Sequence, residues 1–482
     1  MSTDRLSPLD ASFLHIEDDV SHMHIASVAI FEGPQPPFSE VVSMVEAKLA
    51  LVPRYRQVVK FVPFDLGRPV WADDPHFNIE YHLRHTALPA PGGEAELRKL
   101  VGRVMSQQLD RSKPLWEIWV VEGLEDGRWA MLAKTHHAMV DGISGTDLLA
   151  VIMDLSPDAT RPTAVAWTPR PSPTGGQLAA DALLNVVRSP YEQVRAVRAS
   201  VGAIRHAVSH AAEVGQGVVA MAGLVRATPA SSLNGPLGPH RRYAWASTSV
   251  DDIKKVRKGL GGTFNDVVLA SITNGFRELL LSRGEDIDRV VRTLVPVSVR
   301  PRDASGKAVG DGTYENRVSA MFAALPVNIE DPIERLHAIT QQMEGLKDSK
   351  QAVAGEALTS MSGFAPPMLL ALGMRLATRA AQRNVNTVTT NVPGPQFPLY
   401  AAGRKMLRAF PYVPLGGQIR IGIAIFSYNG EVNFGITGDY DTTPDLDVLS
   451  AGIEDGMAQM VKLARRTRAA WRSPPRGTCA VR

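Results

Sequence analysis

Two adjacent histidines, His136 and His137, precede Asp141 and Gly142 in the segment HHAMVDG. The segment follows an apolar run at residues 129–135 that is typical of a buried strand, and a helix-like stretch comes after it. A neutral imidazole, with an unperturbed pKa of about 6.5, can accept a proton near neutral pH. These residue types at a junction of strand, loop and helix predict a catalytic base, whereas a strand end and an ordinary turn are the simpler interpretation.

The two histidines cannot share one pocket while the strand continues, because consecutive strand side chains point to opposite faces. One of them should pack inside the domain and the other can face a cleft. Asp141 has two possible uses at this stage. It could orient a histidine, as in a hydrolase triad, or it could pair with an arginine and hold the loop rigid.

Composition limits the classes of protein that fit. A chain of 482 residues is too long for one ordinary core and predicts two domains. The net charge of +3 argues against a nucleic-acid-binding protein. The single cysteine, Cys479, excludes an internal disulfide and a CxxC zinc site, and fits a reducing compartment. The N-terminus has no apolar signal core, and no apolar run reaches the roughly 18–20 residues of a spanning helix.

The organisation along the chain predicts three parts. Residues 1–160 form an N-terminal domain that contains the histidines, residues 161–240 a linker with an amphipathic helix, and residues 241–482 a C-terminal domain. Five valine or isoleucine positions between residues 194 and 208 recur at spacings of three and four, which places them on one helix face. That helix could pack on the enzyme body or rest on a lipid surface.

The periodicity of apolar residues predicts the secondary structure around the histidines. The predicted strands cover residues 24–31, 117–122, 129–135, 243–250, 292–299, 317–325, 387–391, 418–428 and 431–437. The predicted helices cover residues 39–51, 94–109, 265–281, 331–346 and 445–465.

Three other short segments carry weaker signals. Asn265 and Asp266 open a predicted helix, where such residues satisfy free backbone amides, so helix capping explains them as well as a site role does. The segment PLW at residues 114–116 predicts a rigid strand start with a buried indole. The segment NVPGP at residues 391–395 predicts a sharp turn, which suits a cleft rim and plain architecture equally.

The spacing HHxxxDG resembles the signature of the CoA-dependent acyltransferase superfamily, which includes chloramphenicol acetyltransferase and peptide-synthetase condensation domains. Further segments resemble the bacterial wax ester synthase/diacylglycerol acyltransferase family, in the order of that family, and most of all its actinobacterial triacylglycerol synthases. These segments are SPLDASFL at residues 7–14, PLW at 114–116, ND at 265–266, LVPVSVR at 294–300, NRVS at 316–319 and NVPGP at 391–395.

The resemblance implies an α/β (α+β) fold of two chloramphenicol-acetyltransferase-like domains around a central substrate tunnel. It implies that His137 is the general base, that His136 supports it, and that Asp141 is structural, with an arginine partner, beside Gly142. It places Asn265 and Asp266 near the active site. Acyl-CoA is then a substrate, and neither a cofactor nor a metal is required.

The predicted activity is transfer of a long-chain acyl group from acyl-CoA to diacylglycerol, which makes triacylglycerol, with wax esters from fatty alcohols as a further product. The alternatives are another HHxxxDG acyltransferase, condensation-like or polyketide-associated, and a protein that coats lipid droplets or binds lipid. The resemblance and the missing signal sequence predict a cytoplasmic protein at the periphery of the inner membrane or of lipid inclusions, without a nucleic-acid partner.

Overall fold

The computed structural model describes residues 4–139, 151–159, 167–188, 231–298, 318–348 and 385–472. Several predicted features lie outside these residues: Asp141, Gly142, the apolar stripe at 194–208 and Cys479. Among the described helices, none combines the length and the apolarity that crossing a bilayer requires.

The described chain alternates helices and strands. Its helices are α1 (Pro8–Ile16), α2 (Phe38–Lys48), α3 (Ile79–His82), α4 (Glu94–Met105), α5 (Gly175–Arg188), α6 (Val250–Leu260), α7 (Phe264–Ser282), α8 (Pro332–Asp348) and α9 (Leu446–Arg472). Its strands are β1 (His24–Phe31), β2 (Gln57–Lys60), β3 (Val70–Asp73), β4 (Leu83–Ala87), β5 (Trp116–Glu122), β6 (Trp129–His136), β7 (Arg241–Ser249), β8 (Val291–Ser298), β9 (Val318–Leu325), β10 (Thr387–Pro393), β11 (Tyr400–Ala401), β12 (Arg404–Tyr412), β13 (Ile421–Tyr428) and β14 (Glu431–Asp439).

Two six-stranded sheets organise these elements. The first has the order β11-β12-β1-β6-β5-β4, and the second has the order β7-β14-β13-β10-β8-β9. Helix α2 covers one face of the first sheet, and α4 together with residues of β7 covers the other. Helices α6, α7, α8 and α9 bury the apolar face of the second sheet. The strands β2 and β3 form a separate hairpin.

The first sheet takes strands from both halves of the chain. β12 pairs antiparallel with β1 and matches Ala26 with Tyr412, and β11 extends the sheet beyond β12. The predicted C-terminal domain at 241–482 therefore contributes two strands to the sheet of the predicted N-terminal domain. The periodicity of apolar residues could not predict this strand pairing, because β1 and β12 are far apart in sequence.

Most predicted elements are present, and their ends differ for local reasons. The helix predicted at 94–109 ends at Met105, where the buried ammonium of Lys134 donates to the carbonyl oxygens of Val104 and Gln107 and so caps the helix. The strand predicted at 418–428 begins at Ile421. The strand β12 was not predicted.

Candidate active site

The backbone at the end of β6 is held from two sides. The eight residues of β6 are all buried, and His136 lies opposite His24 of β1. The His136 amide donates to the Leu115 carbonyl at 2.9 Å, and the His137 amide donates to the Met23 carbonyl at 2.8 Å. The backbone of both histidines is therefore fixed in position. His136 is the last residue of β6, and a short 3-10 turn begins at His137.

His136 points into the protein and is fully buried. Its Nδ1 accepts a hydrogen bond from the Ala138 amide at 3.0 Å, and its Nε2 lies 3.2 Å from Oε2 of Glu17. Because Nδ1 accepts, a neutral ring carries its proton on Nε2 and donates it to the Glu17 carboxylate. Both ring nitrogens are therefore in use.

Glu17 is the acidic centre of a buried cluster. Arg111 donates to its Oε2 from Nε at 3.1 Å and from Nη2 at 2.5 Å, and Nε2 of His24 lies 3.3 Å from its Oε1. Burial alone would raise the pKa of Glu17, but hydrogen bonds from His136, His24 and Arg111 hold that pKa well below its usual range. Burial also lowers the pKa of His24 to about 3. The cluster thus contains a carboxylate, a guanidinium and a neutral His24 at neutral pH.

His137 has a different environment. Its ring is half-buried and stacks on Phe13, with ring centroids 4.0 Å apart and an interplanar angle of 24°. The pKa of His137 is lowered to about 4, mainly by removal from water and to a lesser extent by the neighbouring His136, while a backbone hydrogen bond acts in the opposite direction. The ring is therefore neutral at pH 7 and can accept a proton.

One short segment supplies the partners of both histidines. Ser7 caps α1 by accepting a hydrogen bond from the Asp10 amide at 3.1 Å, and Pro8 occupies its first turn. Phe13 stacks on His137, and Glu17, at the C-terminal end of α1, binds His136. The segment SPLDASFL and the residues after it therefore form a wall of the site.

Asn265 and Asp266 open α7, as predicted. The N-cap is Thr263, whose amide donates to the Asp266 carboxylate at 2.8 Å while its hydroxyl accepts from the Asp266 amide. The capping interpretation therefore describes Asp266. Asn265 accepts a hydrogen bond at 3.4 Å from Asn391 near the end of β10. Among the described residues, the structure shows no contact between this pair and the two histidines.

The chain matches two family models along most of its length. The wax ester synthase/diacylglycerol acyltransferase catalytic domain matches residues 6–268, and the WS/DGAT C-terminal domain matches residues 314–461. The chain belongs to this family. Among its relatives, the probable diacylglycerol O-acyltransferase tgs1 of Mycobacterium tuberculosis is 38% identical over 465 residues, which cover 96% of each chain. A putative diacylglycerol O-acyltransferase of the same organism is 32% identical over 470 residues, 95% of this chain and 89% of the relative.

Solved structures agree with the fold that the resemblance implied. The wax ester synthase/diacylglycerol acyltransferase from Marinobacter aquaeolei VT8 matches with a TM-score of 0.67 and 25% identity, over 96% of this chain and all of the other. The TRI3 trichothecene 15-O-acetyltransferase from Fusarium sporotrichioides matches at 0.57 with 12% identity, over 95% and 94% of the two chains, which shows the fold alone. The predicted family and the α/β fold class of this acyltransferase are confirmed.

Two further segments of this WS/DGAT family member have architectural roles. Trp116 is buried, donates from Nε1 to the Tyr55 carbonyl at 2.8 Å, and stacks on His82, which confirms the buried indole predicted for PLW. A Cβ on Gly394 would lie 2.3 Å from the Ser427 carbonyl oxygen, so the turn in NVPGP needs glycine where it passes β13.

Sequence reasoning missed four residues of the candidate site: Phe13, Glu17, His24 and Arg111. One local signal was present, since Phe13 and Glu17 are four residues apart on a capped helix and so lie on one side of it. His24 and Arg111 had no comparable signal, because they reach Glu17 only through the pairing of β1 with β6 and the path of the chain after α4.

A basic groove lies between α4 and β7, with a cavity of about 600 Å³. Its charged lining consists of Arg98, Lys99, Arg103, Arg241, Arg242 and one acid, Asp447. Arg241 donates to the Val20 carbonyl, three residues before the Met23 carbonyl that binds the His137 amide. The groove is therefore connected through one short segment to the backbone of the turn at His137.

Proposed function

We propose that this protein transfers the acyl group of a long-chain acyl-CoA to the free hydroxyl of diacylglycerol and so forms triacylglycerol. The observation that carries the proposal is His137, a neutral, half-buried imidazole at the end of a rigid strand in a chain of the WS/DGAT family. The names of the mycobacterial relatives, which match along nearly the whole chain, support diacylglycerol as the acceptor. Wax ester formation from a long-chain alcohol is the second activity that we test.

In this proposal, His137 handles the proton in both halves of the reaction. It accepts the hydroxyl proton as the acceptor oxygen bonds to the thioester carbonyl carbon, which gives a tetrahedral intermediate. When that intermediate collapses, the carbon–sulfur bond breaks and His137 returns the proton to the CoA sulfur. No bond forms between enzyme and acyl group, so the reaction needs no protein nucleophile.

The other motif residues hold the base in position. His136 uses both ring nitrogens for the Ala138 amide and Glu17, so we assign it a positioning role. We infer from the motif that Asp141 pairs with an arginine and stabilises the loop beside Gly142. Asn265 would shape the site through Asn391, and Asp266 would do so through its cap on α7.

The basic groove offers a place for the phosphates of CoA. Lys99 and Arg103 are exposed, point into it one helical turn apart, and have no acidic partner among the described residues. Replacing both by glutamate should raise KM for acyl-CoA at least tenfold and leave KM for the acceptor unchanged. An unchanged KM for acyl-CoA would exclude the groove as its phosphate site.

The decisive experiment measures free CoA released from palmitoyl-CoA with diacylglycerol and, separately, with hexadecanol. The protein and its His137→Ala variant are compared, with His76→Ala as a control because His76 is an exposed histidine. Release that depends on His137 and on diacylglycerol supports the proposal. Release only with hexadecanol would make the protein a wax ester synthase, and a folded His137→Ala variant with full activity would contradict the mechanism.

We also propose that the protein works at the surface of the inner membrane or of lipid inclusions. The support is the acceptor itself, because long-chain diacylglycerol resides in lipid layers. If the amphipathic stripe at 194–208 provides the contact, deletion of residues 191–214 should abolish binding to liposomes, and a folded deletion variant that still binds would exclude that segment.

A further inference from the structure

The tip of the β2–β3 hairpin exposes large apolar side chains. Phe64 is 92% exposed, and Phe61 and Leu66 are 41% and 42% exposed. We call these three residues the apolar tip. The hairpin does not need them for its own packing, because Val62 and Val70 are buried against α5. A cluster of exposed apolar side chains, unlike single scattered ones, is typical of a contact surface.

The backbone at this tip is held in an unusual conformation. Phe64 has a φ of 58° and Asp65 a φ of 51°, in the left-handed region that glycine and asparagine adopt most readily. Exposure of the Phe64 ring to water does not stabilise this backbone conformation. The strain and the exposure together suggest that Phe64 is kept for what it contacts outside the folded chain.

The apolar tip is tied to the helix that lines the catalytic base. The Leu6 amide donates to the Pro69 carbonyl at 2.9 Å, and Arg68 donates back to the Leu6 carbonyl at 3.0 Å. On the helix itself, the His15 ring lies 6.4 Å from the Phe61 ring.

The same helix, α1, presents Phe13 to His137 at 4.0 Å. α1 is therefore in contact with the exposed tip through His15 and with the proposed base through Phe13. A lipid acceptor that leaves a membrane at the tip would reach the site along this helix.

Positive charge surrounds the apolar tip. Lys60 is exposed, and Arg5 and Arg68 are half-buried beside the hairpin. Asp65 is the only acid in the loop at residues 61–69, and the nearby Asp4 is paired with Arg54. The excess of cations matches the anionic headgroups of a phospholipid surface, which attract basic residues near the membrane plane. A convex group of three side chains can enter a fluid lipid layer, whereas a protein partner would have to supply a matching pocket.

We propose that the apolar tip inserts Phe61, Phe64 and Leu66 into an anionic phospholipid surface and places α1 at the point where diacylglycerol leaves that surface. This inference rests on the proposed function, because it assigns the route of its acceptor. It also names a different element from the segment at 194–208.

The test compares two double variants of the full chain. Phe61→Ser with Phe64→Ser removes the two aromatic rings of the tip. Leu155→Ser with Phe397→Ser is the matched control, because these residues are 71% and 52% exposed and lie beside β11, away from the hairpin. Thermal unfolding checks that each variant is folded.

Two measurements are made on each protein. Flotation uses vesicles of phosphatidylcholine and phosphatidylglycerol that contain dioleoylglycerol. CoA release is measured with those vesicles and with dibutyrylglycerol dissolved in water. The tip variant should bind vesicles at least tenfold more weakly and lose activity on vesicles in proportion, with unchanged activity on dibutyrylglycerol, while the control behaves as the parent protein.

Unchanged flotation of the tip variant would overturn the proposal, and so would an equal loss in the control variant. A parent protein that is dimeric in solution and becomes monomeric with the tip substitutions would assign the tip to a second copy of the chain instead. If the parent protein releases no CoA with either acceptor, the proposed function fails, and flotation still decides whether the tip binds lipid.

Discussion

His136 and His137 are neighbours in sequence, yet they occupy opposite environments. The pocket of His136 is closed and acidic, with Glu17 on one ring nitrogen and the Ala138 amide on the other. The pocket of His137 is apolar and half-open, with Phe13 against the ring. The difference suits the two roles that we propose, a positioning role for His136 and proton acceptance for His137.

The same short segment of the chain lines both pockets. α1 and its C-terminal end supply Phe13 and Glu17, so one segment determines both environments. β6 ends at His136 and the 3-10 turn begins at His137, so the two rings leave the backbone where its direction changes. Changes to either partner should therefore separate the two roles experimentally.

The largest effect is expected at His137. His137→Ala should lower kcat by about 10²–10⁴-fold, the usual contribution of a general base, with little change in the melting temperature. His136→Ala should instead destabilise the fold, because it leaves the Ala138 amide without its acceptor and removes one of the hydrogen-bond donors to Glu17. CoA release and thermal unfolding measure the two effects. If the two variants lost activity to the same extent and were equally stable, the two histidines would not have the different roles that we propose.

An intermediate effect is expected at Glu17. Glu17→Gln leaves Arg111 without its buried counter-charge, which should cost on the order of 1–2 kcal/mol of stability because the Arg111 side chain is 34% exposed and partly solvated. The same change should lower kcat by about tenfold, because His136 loses the carboxylate that it binds. Denaturant unfolding and CoA release measure these changes, with the exposed Glu80→Gln as control. A Gln variant with parental stability would show that the cluster does not depend on the charge.

The charge of Glu17 makes the stability of the folded protein depend on pH. The pKa of Glu17 is lowered in the folded protein, so its contribution to stability is complete above the unfolded pKa of about 4.3 and is lost as pH falls below that value. As pH falls below 5, the free energy of unfolding should therefore decrease less in the Glu17→Gln variant than in the parent protein. Urea unfolding at several pH values measures this difference.

The smallest effect is expected in the pH profile of catalysis. The pKa of His137 is lowered to about 4, so kcat/KM should stay constant as pH falls from 8 to 5 and decline only as pH approaches 4. Phe13→Ser admits water to the ring and should move the decline toward pH 6, since the main cause of the shift is burial. A parent profile that already declines near pH 6.5 would contradict the apolar pocket of His137.

The sequence by itself determined the local part of this arrangement. The apolar run before the histidines predicted β6, and strand alternation predicted that His136 and His137 would not share one pocket while the strand continued. The two rings do have different partners, but the strand ends at His136 and His137 lies in the turn after it. The start of α7 at residues 264–266 and the buried indole of Trp116 were also readable, because capping and burial leave patterns within a few residues. The motif spacings also sufficed to predict the family.

Only the tertiary structure decided what covers each histidine. Glu17 is 119 residues from His136 and 94 from Arg111, and β12 enters the first sheet from the far half of the chain. The periodicity of apolar residues indicates which face of a helix or strand is buried. Which other segment packs against that face depends on the free energy of the whole fold. The environment of each histidine follows from those distant partners, whereas the assignment of His137 as the base came from the family resemblance.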